Sequence, residues 1–162
     1  MADRVLIRPY DQADERAVVE LVRELQRYEA QFYDRMLPPE DIGAWYVTSI
    51  LREAKTANGE LLVALFDGRV AGYATLLADV SSEDERDEIL FRYAYVGDLV
   101  VEPRLRGKGI GGALLAECEK FARAAGRKWL RLTVLAANDT AHRLYEASGF
   151  ADQFRYMEKP LS

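Results

Sequence analysis

Val100-Val101-Glu102-Pro103-Arg104-Leu105-Arg106-Gly107-Lys108-Gly109-Ile110-Gly111-Gly112 reads as the end of a strand, a basic glycine-rich turn and the start of a helix. Pro103 ends the apolar run before it, and helical spacing begins at Ile110. Closely spaced glycines let the backbone approach a ligand and turn several N–H groups the same way. The start of a helix adds unpaired donors and the positive end of its dipole. Arg104, Arg106 and Lys108 bring three cations to this turn in a chain of net charge −5. The combination specifies an anion site, most naturally for a pyrophosphate. The alternative is a tight turn whose charges merely face water.

Working outward, Ile110, Leu114, Cys118, Phe121 and Ala125 form one face of an amphipathic helix stopped by Gly126. Residues 93–101 before the turn and 129–135 after the helix read as strands, so the unit between them is a parallel crossover, right-handed by rule. Upstream, strands at 61–66 and 69–77 flank Asp67-Gly68, a pair that favours a type I′ hairpin turn. The N-terminal part gives a short strand at 5–8, then a helix with Val18, Leu21, Val22, Leu25, Tyr28 and Phe32 at helical spacing, with Asp11 as its N-cap. A second helix is expected from Pro38-Pro39-Glu40-Asp41 to Asn58-Gly59, with Ile42, Trp45, Tyr46, Ile50 and Ala54 as its apolar stripe. Residues 139–148 read as a short helix stopped by Gly149, and 154–158 as a last strand. The order β-α-α-β-β-β-α-β-α-β predicts a mixed α/β (α+β) sheet in one domain spanning 1–162.

The composition sets limits on function. The 162 residues are 49% hydrophobic and 30% charged, the balance of a soluble globular domain. The net charge of −5 argues against a general nucleic-acid binder, and no apolar run reaches membrane-span length. Val5-Leu6-Ile7 is followed at once by Arg8-Pro9, which is not a secretory signal, so a cytoplasmic location is expected. One cysteine, Cys118, rules out an intrachain disulfide, and with one histidine, His142, leaves too few soft ligands for a zinc site; no metal is expected.

The phosphate ligand can be narrowed by spacing. A Walker loop needs Lys followed by Ser or Thr, but Gly109 follows Lys108. Gly107-x-Gly109-x-x-Gly112 does match the dinucleotide pattern. That pattern needs an acid at the end of the next strand to hold a ribose, and the strand ends Leu135-Ala136-Ala137-Asn138. A nicotinamide dinucleotide is therefore rejected.

Arg106-Gly107-Lys108-Gly109-Ile110-Gly111 resembles the Arg/Gln-x-x-Gly-x-Gly/Ala signature of the GNAT superfamily of acetyl-CoA-dependent N-acetyltransferases. Asn138-Asp139-Thr140-Ala141-His142-Arg143-Leu144-Tyr145-Glu146-Ala147-Ser148-Gly149-Phe150 resembles that superfamily's Asn-x-x-Ala-x-x-x-Tyr-x-x-x-Gly-Phe stretch. The resemblance implies a GNAT-like acyl-CoA N-acyltransferase fold with a central splayed pair of parallel strands. It implies that the backbone of Arg106, Gly107, Lys108, Gly109, Ile110, Gly111 and Gly112 binds the pyrophosphate of acetyl-CoA. Leu99, Val100 and Val101 would pair with the pantetheine arm, the Leu99 amide polarising the thioester carbonyl. Asn138 matches a cofactor contact, and Tyr145 the general acid that protonates the leaving thiolate. A phenol suits that task, because its ordinary pKa near 10 keeps it protonated at neutral pH. The other reading of Tyr145 is a packing aromatic.

The base is left open. Asp98 matches an Asp in the diamine-acetylating branch, but Gly97 stands where that branch carries Glu. Deprotonation then falls to Asp98, to water, or to an acid of the 83–88 segment; Asp98 is otherwise a strand-end structural acid. Asp79, Glu83, Asp84, Glu85, Asp87 and Glu88 face only Arg86 in charge, and such a cluster at the acceptor mouth would steer cations inward. The expected acceptor is thus a cationic small-molecule or peptide amine, with no nucleic-acid or membrane partner. His142 reads as a surface residue and Cys118 as core. Tyr28, Phe32, Tyr33, Trp45 and Tyr46 read mostly as helical core, some of them lining an acceptor pocket. A homodimer is implied by the family alone. The competing function is a non-catalytic acyl-CoA-binding or regulatory module on the same fold.

Overall fold

Asp67 and Gly68 both take positive φ (49° and 77°), the geometry that a type I′ turn requires. They close a hairpin between β2 (Glu60–Phe66) and β3 (Arg69–Ser81), in a computed structural model that describes residues 4–82 and 87–162. β1 (Val5–Pro9) lies against β2, and β4 (Arg92–Val101) against β3, all antiparallel. β5 (Leu130–Arg131) lies parallel to β4, which completes the order β1-β2-β3-β4-β5.

Alternation along the strands divides the core into two layers. Leu61 and Val63 of β2 and Tyr73 of β3 face α1 (Glu15–Glu29) and α2 (Ala44–Thr56), where they meet Val18, Val22, Val47 and Ile50. Leu62, Ala64, Ala74 and Leu76 face the other way, onto Ile110, Leu114 and Cys118 of α3 (Ile110–Ala124). Leu144 and Tyr145 of α4 (Asp139–Ala147) pack on that second layer. Burial pushes the Cys118 thiol up to about 12, so it is an inert core side chain. Among the described residues no helix is long and apolar enough to cross a membrane.

Three expectations need correction. Asp11 caps a short 3₁₀ turn (Gln12–Asp14) in a reciprocal capping box, and α1 starts just after it. The second helix starts at Ala44 rather than Pro38, after a 3₁₀ turn at Pro39–Asp41. Ile42 and Gly43 are extended there, and the Arg23 guanidinium donates to the Ile42 carbonyl from Nε (3.0 Å) and Nη2 (2.8 Å), which fixes the break. Finally, the expected strand at 129–135 is reduced to two paired residues, and 154–158 is no strand at all. The expected order therefore loses its last β. Both departures have one cause: a strand exists only where a neighbour takes its backbone groups.

Candidate active site

β4 and β5 pair only at Ala94–Leu130 and Tyr95–Arg131. Past that point β4 continues to Val101 paired only with β3 among the described residues, and a groove of about 380 Å³ opens between its other edge and α4. Leu99, Val100, Val101, Arg106, Gly107, Gly109, Ile110, Gly111, Gly112, Asn138 and Tyr145 all line it. Lys108 does not; its ammonium sits 5.7 Å from the Phe66 ring centroid instead.

The turn has the form its glycines suggest. Gly107 and Gly109 adopt φ of 75° and 81°, a region in which a side chain costs energy. Gly109 is the N-cap of α3 and no side chain caps the helix, so the amides of Ile110, Gly111 and Gly112 have no protein acceptor among the described residues. These donors, at a helix N-terminus and beside Arg106, fit a phosphate group. Asn138 is buried; its Oδ1 caps α4 by accepting from the Ala141 amide (3.2 Å) and accepts also from the Tyr28 hydroxyl (3.3 Å). The Arg106 guanidinium stacks 4.7 Å over the Tyr28 ring.

A β-bulge sets the chemistry at the inner end. Val96 stands opposite Leu76 and Leu99 opposite Ala74, so Gly97 and Asp98 together face Thr75. Ala94 and Val96 point at the α3 layer, and unbroken alternation would send position 98 there too. The extra residue reverses the parity. Asp98 instead meets Tyr46 of α2 and Tyr73, its Oδ2 accepting from both hydroxyls (3.1 and 3.0 Å). Leu99 and Val101 now face α3, and Val100 the α1/α2 layer. Thr75 Oγ1 accepts from the Asp98 amide (2.7 Å) and pins the bulge.

Gly97 follows from this geometry. A Cβ there would lie 2.7 Å from Thr75 Oγ1, so a side chain must displace the very group that holds Asp98. Gly97→Glu is therefore expected to destabilise the fold by roughly 1–3 kcal/mol through overpacking and the lost hydrogen bond. Thermal unfolding checks this, at about 2–4 °C per kcal/mol for a chain this size. A variant that melts like the wild type overturns the account of the bulge.

Glu29, at the C-terminal end of α1, reaches the same place and lines the groove. It escaped the sequence reading. The signal was there, because Glu29 is four residues past Leu25 and puts a carboxylate on the apolar stripe of α1. Burial, and then the negative charge of Asp98, raises its pKa. Burial also raises that of Asp98, against the lowering effect of its two tyrosine hydrogen bonds. Burial pushes the Tyr145 phenol up to about 12, with Glu29, Tyr95 and Asp98 adding to it. The Tyr145 hydroxyl has no hydrogen-bond partner among the described residues, while its ring packs edge-on against Phe150 (centroids 6.0 Å).

Other expected residues lie elsewhere. Asp79 is engaged by Arg92 and Arg127, so it is no free acid at an acceptor mouth. Glu83, Asp84, Glu85 and Arg86 lie outside the described residues. His142 pairs with Asp152 (2.9 Å) and Glu146 (3.5 Å), away from the groove. Trp45, expected in the core, is half exposed.

Residues 18–150 match the acetyltransferase (GNAT) family. The chain is 32% identical over 156 residues to the IAA acetyltransferase of Azospirillum brasilense, covering 90% of this chain and 91% of that one. It is 29% identical over 154 residues to the thialysine N-epsilon-acetyltransferase of Bos taurus, covering 91% and 85%. Among solved structures, a point mutant of the BH1408 protein from Bacillus halodurans superposes with a TM-score of 0.85 at 21% identity, covering 97% of this chain and 99% of that one. The yncA protein of Salmonella typhimurium, solved with acetyl-CoA, gives 0.66 at 26% identity, covering 92% and 80%. With the splayed strands, the glycine turn and these relatives together, the chain belongs to the GNAT family of acetyltransferases and uses acetyl-CoA as its acetyl donor.

Proposed function

We propose that the chain acetylates a primary amine carried on a cationic small molecule or a lysine-like side chain, by direct attack, with Tyr145 as general acid. One observation carries this reading: the Tyr145 phenol, without a hydrogen-bond partner among the described residues, and the Glu29 carboxylate line the same groove as the glycine turn, with Asp98 held on β4 by Tyr73 and Tyr46. Acetyl-CoA, when bound, supplies an activated acetyl thioester. Its phosphates would rest on the amides of Gly107–Gly112, and its arm would run along Leu99, Val100 and Val101.

Each residue then has a task. The Asp98 amide is taken by Thr75 on the β3 side. Alternation along a strand turns the next amide, that of Leu99, toward the open edge, which supports its use as the donor to a carbonyl. Tyr145 holds its proton at Oη for the departing sulfur. Burial and the charge of Asp98 make Glu29 reluctant to ionise, and burial does the same to Asp98, so both carboxylates gain a counter-ion when an ammonium enters. Asp98 is the group to take the amine's proton, while Tyr46 and Tyr73 fix its Oδ2.

The test is thiol release from acetyl-CoA with a panel of diamines, lysine-like amines, aminosugars and neutral amines. Cationic acceptors are expected to have the highest kcat/KM. Glu29→Gln is expected to raise the KM of a cationic acceptor about tenfold or more, the worth of one charge-assisted contact. It should leave acetyl-CoA binding and the KM of a neutral amine unchanged. Equal effects on both amine classes sink the acceptor assignment.

A further inference from the structure

The open edge of β4 is not bare. The Asp98 amide goes to Thr75 and the Glu102 amide to the Ala71 carbonyl, both on the β3 side. Alternation along the strand then turns the backbone groups of Leu99 and Val101 toward the groove. The Arg106 side chain lies across that edge, its Nε donating to the Val101 carbonyl (3.2 Å). Its guanidinium rests over the Tyr28 ring, 4.7 Å from the centroid, and the Tyr28 hydroxyl donates to Asn138 at the start of α4 (3.3 Å). The contacts Val101–Arg106–Tyr28–Asn138 thus bridge the groove from β4 to α4.

No carboxylate balances this guanidinium. Arg4, Arg8, Arg23 and Arg27 each hold an acid, but none of the ion pairs among the described residues includes Arg106. It has one carbonyl dipole and one aromatic face instead, both weaker partners for a full charge than an anion. A cation held in this way yields to a ligand that brings an anion and resists one that does not.

Resting on the placement of acetyl-CoA given above, we propose that Arg106 makes donor binding conditional on the donor's phosphates, and so selects CoA thioesters over the bare pantetheine arm. The arm of any donor along Leu99, Val100 and Val101 must bond the Val101 carbonyl or bury it, and the Arg106 side chain occupies that carbonyl. A diphosphate on the glycine turn offers the guanidinium charged oxygens in exchange for one carbonyl. Acetyl-pantetheine carries the same thioester and the same arm but no anion, so it displaces Arg106 with nothing in return. Selectivity then comes from a cost laid on the wrong donor as well as from contacts to the right one.

Titrating CoA and pantetheine into the protein reads this without turnover, by calorimetry for the first and by amide chemical shifts along β4 for the second. Arg106→Ala is expected to bind pantetheine about threefold or more tightly than the wild type does, and CoA about tenfold or more weakly. The KM values of acetyl-pantetheine and acetyl-CoA should move in the same opposed directions. A folding defect would weaken both ligands, so opposed shifts cannot come from one. In the wild type, the Arg106 Nε–H signal, identified by its absence from Arg106→Ala, should shift when CoA binds. Gly109→Asp tests the underlying placement separately: it should lose CoA and leave pantetheine binding unchanged, and equal losses of both mean that the phosphates lie elsewhere. With that control holding, Arg106→Ala weakening both ligands alike overturns the proposal. So does an Nε–H signal that stays in place in the CoA complex.

Discussion

Gly109→Asp is expected to weaken acetyl-CoA binding at least a hundredfold while the protein stays folded. Gly109 has φ of 81° and nothing lies within 4 Å of where its Cβ would stand, so the new side chain meets open space, not protein. Left-handed backbone costs an L-residue about 1–2 kcal/mol, but Asp tolerates it better than most. Asp is moreover a favoured N-cap, and its charge suits the positive end of α3. These effects offset one another in the apo protein.

They combine against the ligand. The carboxylate competes for the amides of Ile110, Gly111 and Gly112, which have no other acceptor among the described residues. It also sets like charge against phosphate, about 4 kcal/mol per pair at 4 Å near a protein surface. Each 1.4 kcal/mol is tenfold in affinity, so a hundredfold loss is a conservative expectation. Calorimetric titration gives the dissociation constant, and the thermal shift at saturating acetyl-CoA gives the same result through mass action. Gly109→Ala, which has the strain without the charge, is the control and should keep most of the affinity. If Gly109→Asp retains the wild-type thermal shift, the phosphates do not sit on this turn.

What the sequence reveals and what it hides divide along a physical line. The Asp67-Gly68 turn, the α3 stripe and the glycine loop depend on residues a few positions apart, and all three lie where local rules put them. The bulge at Gly97–Asp98 depends on Thr75 of β3, and alternation alone would have sent Asp98 to the wrong face. Glu29, Tyr46 and Tyr73 converge on Asp98 from α1, α2 and β3, a meeting that no local pattern encodes. The absent strand at 154–158 makes the same point from the other direction. Its alternating Phe154, Arg155, Tyr156 has strand character, but pairing requires an edge within reach, and its own ends are tied elsewhere.

Tyr145→Phe is expected to slow the chemical step by roughly ten- to a thousandfold, the range of a lost general acid, with acetyl-CoA affinity unchanged. The substitution removes one oxygen that has no protein partner among the described residues and keeps the ring that packs on Phe150. The melting temperature should therefore hold. The pH dependence adds a second reading. Burial, with Glu29, Tyr95 and Asp98 around it, puts the phenol at about 12, so its acid form is present at every pH below that value. Tyr145 should accordingly impose no alkaline limb on the rate between about pH 7 and 10, where an ordinary phenol of pKa near 10 would begin to ionise. Rate limitation by chemistry is secured with a poor acceptor, checked by the absence of a burst in pre-steady-state mixing with substrate in excess. An unchanged turnover number for Tyr145→Phe under those conditions returns this residue to a packing role and leaves the departing thiolate to be protonated by water.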